Sequence, residues 1–210
     1  MQLVVLANDS QVEELLNNRS NNQIKLAVIK TVEDAAMHKD ADGLIDLLFD
    51  GSGERIQLLN EFSNGPVIIN SVVDTLEKIG ASFTRINAWP GFLKRSIVEA
   101  STKDKNVKRS AQNIFSCLGK EVEWLPDTPG FVTARVVAMI INEAWFALDE
   151  NISTREEIDA AMRLGTNYPH GPFEWCEKIG AKNVHDLLME LAKRDRRYRP
   201  NTLLTKQAIG

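Results

Sequence analysis

Pro126-Asp127-Thr128-Pro129-Gly130-Phe131-Val132 is the stretch at which the sequence changes character. Ahead of it, short apolar runs alternate with helix-like segments; beyond it no strand-like run appears. The upstream runs lie at residues 2–8, 24–29, 43–49, 67–73 and 82–89, with a further strand at 121–125. Asp9 or Ser10 reads as the cap of a helix through Leu16, and a polar turn is expected over 17–22. Helical segments at 54–62 and 74–79 and an amphipathic helix at 103–118 fill the gaps. Strands alternating with helices require crossover connections, so this half reads as a mostly parallel sheet covered on both faces.

Downstream, residues 131–148 are apolar around nearly the whole circumference. Such a helix is either the centre of a bundle or part of a subunit interface. Ser153-Thr154-Arg155-Glu156 has the form of a capping box. It opens a helix with Ile158, Ala161, Met162 and Leu164 on one face, ended by Gly165. After a Pro/Gly loop at 168–172, helices follow at 173–179 and 184–193. The reading is therefore an α/β domain over residues 1–126 and an all-α domain over 127–210.

Composition narrows the functional classes. With 25 Lys+Arg against 29 Asp+Glu the net charge is -4, which supplies no basic face for a nucleic-acid backbone. The 43% hydrophobic content excludes a disordered chain. Cys117 and Cys176 are far apart and form no CxxC, so they read as reduced thiols of a cytoplasmic protein. The apolar stretch 131–148 is interrupted by Arg135, Asn142 and Glu143, which argues against a membrane span. No spacing of His, Cys and Asp suggests a metal site.

The motifs after the junction are more specific. Asp127-Thr128-Pro129-Gly130-Phe131-Val132, then Ile158-Asp159-Ala160-Ala161-Met162, then Leu164-Gly165 and Tyr168-Pro169-His170-Gly171-Pro172-Phe173-Glu174 resemble, in order and spacing, the 3-hydroxyacyl-CoA dehydrogenase family. The resemblance implies an N-terminal Rossmann-like domain, here incomplete, and a helical domain that dimerises. It also implies an acyl-CoA substrate cleft, to which Pro129, Gly130, Pro169, Gly171 and Pro172 are assigned. Val137, Ile141, Trp145 and Leu148 are the candidates for the homodimer core, the alternative being burial among the chain's own helices.

The same resemblance exposes departures in the chemistry. The family uses NAD, whose pyrophosphate sits where the first strand turns into the first helix on a GxGxxG run. Here Asn8-Asp9-Ser10-Gln11-Val12 follows the first strand, and the chain has no glycine before Gly43. Asp9, Glu13 and Glu14 would add negative charge beside the phosphates, so no cofactor is expected. Gly51-Ser52-Gly53 reads as a turn at a helix N-terminus rather than a replacement.

The family's base is a His oriented by a Glu, with Ser and Asn holding the substrate oxygen. The His position falls on Ile86 or, with a one-residue shift, on Asn87; neither takes a proton near neutrality. Glu99 fits the orienting acid under that shift, but without an imidazole it reads as a solvated charge. The Ser falls near residues 72–75, on Asp74, and the Asn on Ala134. Among the histidines, His170 is the one candidate for a chemical role, the alternative being packing on Tyr168 or Phe173. His38 and His185 read as solvated. The basic run 193–199 would attract a CoA phosphate, or is a solvated helix end. Two functions follow: a divergent family member of acyl-CoA metabolism with weak or no dehydrogenase activity, or a non-catalytic dimeric acyl-CoA-binding, regulatory or scaffolding protein.

Overall fold

The computed structural model describes residues 1–17 and 24–210. They form two compact units, Met1–Phe131 and Val132–Gly210. The polar turn expected over 17–22 lies, beyond Asn17, outside the described residues.

The first unit is a seven-stranded sheet in the order β2-β1-β3-β4-β5-β6-β7. The strands are β1 (Gln2–Leu6), β2 (Lys25–Ile29), β3 (Gly43–Asp46), β4 (Val67–Asn70), β5 (Thr84–Ile86), β6 (Ile97–Ser101) and β7 (Glu121–Trp124). All pair in parallel except β5 with β6. The antiparallel β6 is absent from the sequence reading, because Glu99 interrupts its apolar pattern.

The helices are α1 (Asp9–Leu16), α2 (Gly53–Asn60), α3 (Leu76–Ile79) and α4 (Lys105–Cys117). Successive strand residues point to opposite faces, and both faces are dry. Leu3, Val5, Ile45 and Ile68 pack with Leu15 of α1 and Ala111, Ile114 and Phe115 of α4. Val4, Leu6, Leu44 and Ile69 pack with Leu59 of α2 and Leu76 of α3. Two buried faces explain why the strands read as continuous apolar runs rather than alternating ones. Gly43 serves this packing, since a Cβ there would stand 2.5 Å from Ile114 Cδ1.

The junction stretch lies in the first unit, which runs as far as Phe131. Arg85, on β5 and fully buried, donates from Nε to Asp127 Oδ1 at 2.6 Å, and to the carbonyls of Ser71 and Thr128. The two Asp127 oxygens also accept the backbone N–H groups of Leu76 and Glu77, capping α3. Gly130 N donates to Val72 O at 2.8 Å, and the Phe131 ring lies 4.2 Å from the Arg85 guanidinium. Burial lowers the Arg85 pKa, while Asp127 opposes that shift. Losing the carboxylate would strand a buried cation.

The second unit contains α5 (Thr133–Asp149), α6 (Arg155–Thr166), α7 (Pro172–Ile179), α8 (Ala181–Ala192) and α9 (Thr202–Ile209). Helix α5 packs against α7, α8 and α9, which makes it the centre of a helical unit. Ile141 and Trp145 are buried, with Trp145 edge-on to Phe173 at 5.2 Å. They leave almost no surface for a partner, and two of the four expected dimer-core residues are thereby corrected; Val137 and Leu148 are half-buried. Asn142 is buried too, donating to Arg199 O and accepting from Asn201 N. It fastens the start of α9, a helix the sequence reading did not anticipate.

Three helix ends also differ from expectation. Asn8, not Asp9 or Ser10, caps α1. The box of α6 is Thr154 with Glu157, one residue later than read. That helix runs through Gly165 to Thr166 and ends on Asn167 at φ 56°. Among the described residues no helix is long and apolar enough to cross a membrane.

Candidate functional site

In a sheet of this topology, ligands lie beyond the carboxyl ends of the strands, at the point where the connections diverge to opposite sides. Here that point is between β1 and β3, since the chain leaves β1 for β2 on one side and returns to β3 on the other. The residues there are Asn8 and Gln11 after β1, and Leu47 after β3. Asn8 Oδ1 accepts from Gln11 N at 2.9 Å, and Gln11 Oε1 accepts from Asn8 N at 3.0 Å. The other end of the Gln11 amide crosses the gap, Nε2 donating to Leu47 O at 2.9 Å.

The same carbonyl accepts Asn70 Nδ2 from the end of β4 at 3.4 Å, and Asn70 Oδ1 accepts Ala88 N, after β5, at 3.0 Å. A belt of side-chain amides thus runs along the carboxyl edge from β1 to β5. Sequence reasoning missed it because an isolated Asn or Gln carries no motif. Asp46, ending β3, is equally engaged. Its carboxylate is fully buried and gripped by Arg55 Nε and Nη2, each at 2.7 Å. Burial raises the Asp46 pKa, and Arg55 opposes this.

Two acids expected near a phosphate are elsewhere in character. Asp9 projects into solvent and meets Lys30 at 3.1 Å. Glu14 is buried, both of its oxygens accepting Gly91 N at 2.8 and 2.9 Å. Beside it Lys120 Nζ donates to the carbonyls of Leu93 at 2.5 Å, Arg95 at 3.2 Å and Glu14 at 3.4 Å. Desolvation pushes the Lys120 pKa down to about 8, against the attraction of Glu14. Ser52 caps α2, with Gly51 at φ 76°, so Gly51-Ser52-Gly53 is a helix-opening turn.

Glu99 is not a solvated charge: only 6% of it is exposed. Its Oε2 accepts Asn87 Nδ2 at 2.9 Å, and Asn87 N donates to Glu99 O at 3.1 Å across β5 and β6. The structure therefore brings together the two residues that the one-residue shift aligned with a base and its orienting acid. A carboxamide has no protonation equilibrium near neutrality, so Asn87 can give or take a hydrogen bond here but takes no proton itself. Asp74 is at the surface with Lys78 at 2.5 Å. The hydroxyl nearest the end of β4 belongs to buried Ser71, which donates to Asp74 O at 2.8 Å.

In the second unit the motif residues meet one another. Gly171 is the N-cap of α7, and Pro172 is its first residue. Asp159 accepts Phe173 N at 2.8 Å and Glu174 N at 3.2 Å, while Glu174 Oε2 accepts Gly171 N at 2.9 Å. A Cβ at Gly171 would stand 2.3 Å from Asp159 Cγ, which fixes glycine there. Pro129, Gly130, Gly171 and Pro172 are buried and Pro169 exposed. His170 packs edge-on against Trp175 at 4.8 Å, with Nδ1 4.0 Å from Glu174. His185 is largely covered, beside Asp186 at 3.4 Å. Arg196 and Tyr198 bound a short turn capped by Asp195, so the basic run is a connection to α9 and not a terminal helix end. Among the described residues no cluster of three His, Cys, Asp or Glu could hold a metal.

A family model described as 3-hydroxyacyl-CoA dehydrogenase, C-terminal domain, matches residues 130–208. The 3-hydroxyadipyl-CoA dehydrogenase of Escherichia coli (strain K12) is 32% identical over 189 residues, covering 87% of this chain and 36% of that protein. The chain belongs to the 3-hydroxyacyl-CoA dehydrogenase family. A 3-hydroxybutyryl-CoA dehydrogenase of Clostridioides difficile is 29% identical over 204 residues, 94% of this chain and 70% of its own length. The solved (S)-3-hydroxybutyryl-CoA dehydrogenase of Ralstonia eutropha shares the fold, with TM-score 0.75 at 18% identity over 98% of this chain and 92% of that one.

The chain thus spans little more than a third of its Escherichia coli relative. Within the family's NAD-dependent fold, its DTPGF residues hold a buried arginine and its GPFE residues close a helix. These motifs are visible in the sequence because tertiary contacts demand particular residues at each position.

Proposed function

We propose that this chain is a dimeric acyl-CoA-binding member of the family that carries out no hydride transfer of its own. The observation that carries the reading is the amide belt. A pyrophosphate needs open backbone N–H groups and close approach at the turn after β1. There the N–H groups of Asn8 and Gln11 are taken by the reciprocal box, and the Gln11 side chain bridges to Leu47 in the gap between β1 and β3. With no glycine before Gly43, the backbone keeps a side chain at every position where a dinucleotide would press against it. The residues present do not fit NAD.

Asn87 supports the same reading from the chemical side. It holds Glu99 as an imidazole would, yet has no proton-accepting nitrogen. The test is titration with NADH, followed by nucleotide fluorescence, together with an assay of 3-oxoacyl-CoA reduction and a thermal melt in acyl-CoA. Absent NADH binding, absent turnover and a raised Tm in acyl-CoA are expected. NADH binding with turnover would replace this reading by that of an active dehydrogenase with an altered site. No Tm response to acyl-CoA would remove the ligand.

A further inference from the structure

We infer that Asn64 is a site of spontaneous covalent modification: Gly65 N attacks its side-chain carbonyl, and the acid that results unfastens the turn at the amino ends of β3 and β4. The conversion needs water and no enzyme.

Asn64-Gly65 forms the bend between α2 and β4, and it is the one Asn-Gly pair in the sequence. Asn64 is exposed, and its amide makes a single hydrogen bond, Nδ2 donating to Ala41 O at 3.1 Å. Among the described residues Gly65 N meets no acceptor, so no hydrogen bond ties it down. Glycine is required at this position, because a Cβ would run into Asp42 O. The packing thus keeps beside Asn64 the residue that least obstructs ring closure, since no side chain shields its nitrogen. Asn70-Ser71, at the end of β4, is the contrasting pair. Its amide is held at both ends, Nδ2 donating to Leu47 O and Oδ1 accepting from Ala88 N.

The step is an intramolecular acyl transfer. A bond forms between Gly65 N and Asn64 Cγ, the Cγ–Nδ2 bond breaks, and Nδ2 leaves as ammonia with the proton given up by Gly65 N. Water then opens the cyclic imide at either of its carbonyls. One opening gives aspartate; the other gives isoaspartate, whose main chain is longer by a methylene. Either product sets a carboxylate in place of the donor to Ala41 O, on a segment that already carries Asp40 and Asp42. Ala41 is fully buried, and a buried carbonyl that loses its donor costs stability. Isoaspartate also displaces Gly65 from its seat against Asp42. Pro66 O, which accepts Leu44 N at 3.1 Å and so fastens β3 to the start of β4, moves with it.

Peptide mapping by mass spectrometry tests the site on the full chain held at mildly alkaline pH, with a free peptide of residues 61–67 as the reference. A single exposed hydrogen bond on the amide slows the attack by no more than about tenfold, so aspartate and isoaspartate at residue 64 should form within about tenfold of the peptide's rate. Asn70 should remain an amide in the same digest. Slower conversion at residue 64 would overturn the proposal, because the packing around Gly65 would then be protecting the amide. Conversion of Asn70 at a matching rate would overturn it too, since the reaction would then be that of the unfolded chain. Asn64→Gln keeps a carboxamide but demands a larger ring, and should abolish the conversion at this position. Asn64→Asp imitates one product and should lower the Tm by about 2–4 °C, with circular dichroism verifying the fold. An unchanged Tm, both in this variant and in the converted chain separated by its added negative charge, would overturn the unfastening.

Discussion

Two helix N-termini, α1 and α7, are closed by the molecule's own side chains, but in different ways. The start of any helix leaves backbone N–H groups without partners, and an anion can bind only while some remain open. At α1 the closure is local: Asn8 and Gln11 satisfy one another, and Gln11 spends its remaining amide on Leu47. At α7 the closing acid, Asp159, comes from another helix, accepts two N–H groups, and presses so near that only glycine fits at the cap. The first closure depends on two replaceable side chains and the second on tertiary fit. Only the second left a motif that the sequence displays.

Gly171→Ala should have the largest effect. The new Cβ would collide with the Asp159 carboxylate and pull it from the N–H groups of Phe173 and Glu174, an overpacking and lost-cap penalty of about 2–3 kcal/mol. Gly53→Ala is the matched control, also a helix-start glycine but with nothing near its Cβ, and should stay within about 0.5 kcal/mol. Urea midpoints at constant m measure both. Equal losses would mean that Asp159 yields readily and that α7 is no more rigidly closed than α1.

The contrast also explains what was legible. The order of strands and helices up to β5 and the all-helical second half follow from apolar runs and their spacing, because buried strands and helix faces must be apolar. The antiparallel β6 escaped because its central residue is the buried Glu99, and burial of an acid shows only with its partner Asn87 in place. Ile141 and Trp145 were legible as buried but not as to what buries them, since a bundle core and an interface draw on the same residues. Helix α9 was hidden by the basic run before it; its signal was Asn201 followed by Thr202, a capping residue at a helix start. At the candidate site the lack of any glycine before Gly43 was readable in the sequence. The amide belt was not, because Asn8 and Gln11 follow β1 while Asn70 ends β4, some sixty residues further along the chain.

Charge dependence separates the helices further. The carboxyl end of α1 is held by Lys120 through the Glu14 carbonyl. The ammonium titrates near 8 in the folded chain against 10.5 for the ordinary lysine value. Between these, the unfolded chain carries a proton that the folded chain has released, so stability rises with pH across that window, by at most about 1.4 kcal/mol per pH unit. Below pH 8 both states are protonated and this contribution is absent. Denaturation between pH 8 and 10 for the original chain and Lys120→Met should give curves whose difference in stability changes with this slope. Parallel curves would mean that the ammonium is no less hydrated in the folded chain than in the unfolded one.

The smallest effect is the most diagnostic for the cofactor turn. Asn8→Ala removes the side-chain acceptor of Gln11 N and should cost about 1 kcal/mol, the ordinary worth of an N-cap. Gln11→Ala should cost less, because Asn8 is exposed and its N–H can turn to water. If the two residues close the helix as one reciprocal unit, the double variant loses less than the sum of the singles, by about 0.5 kcal/mol or more, since either change alone already opens the box. Strict additivity would make the caps independent. In that case Gln11 stays on Leu47 O whether or not Asn8 is present, and the gap between β1 and β3 is closed by Gln11 alone.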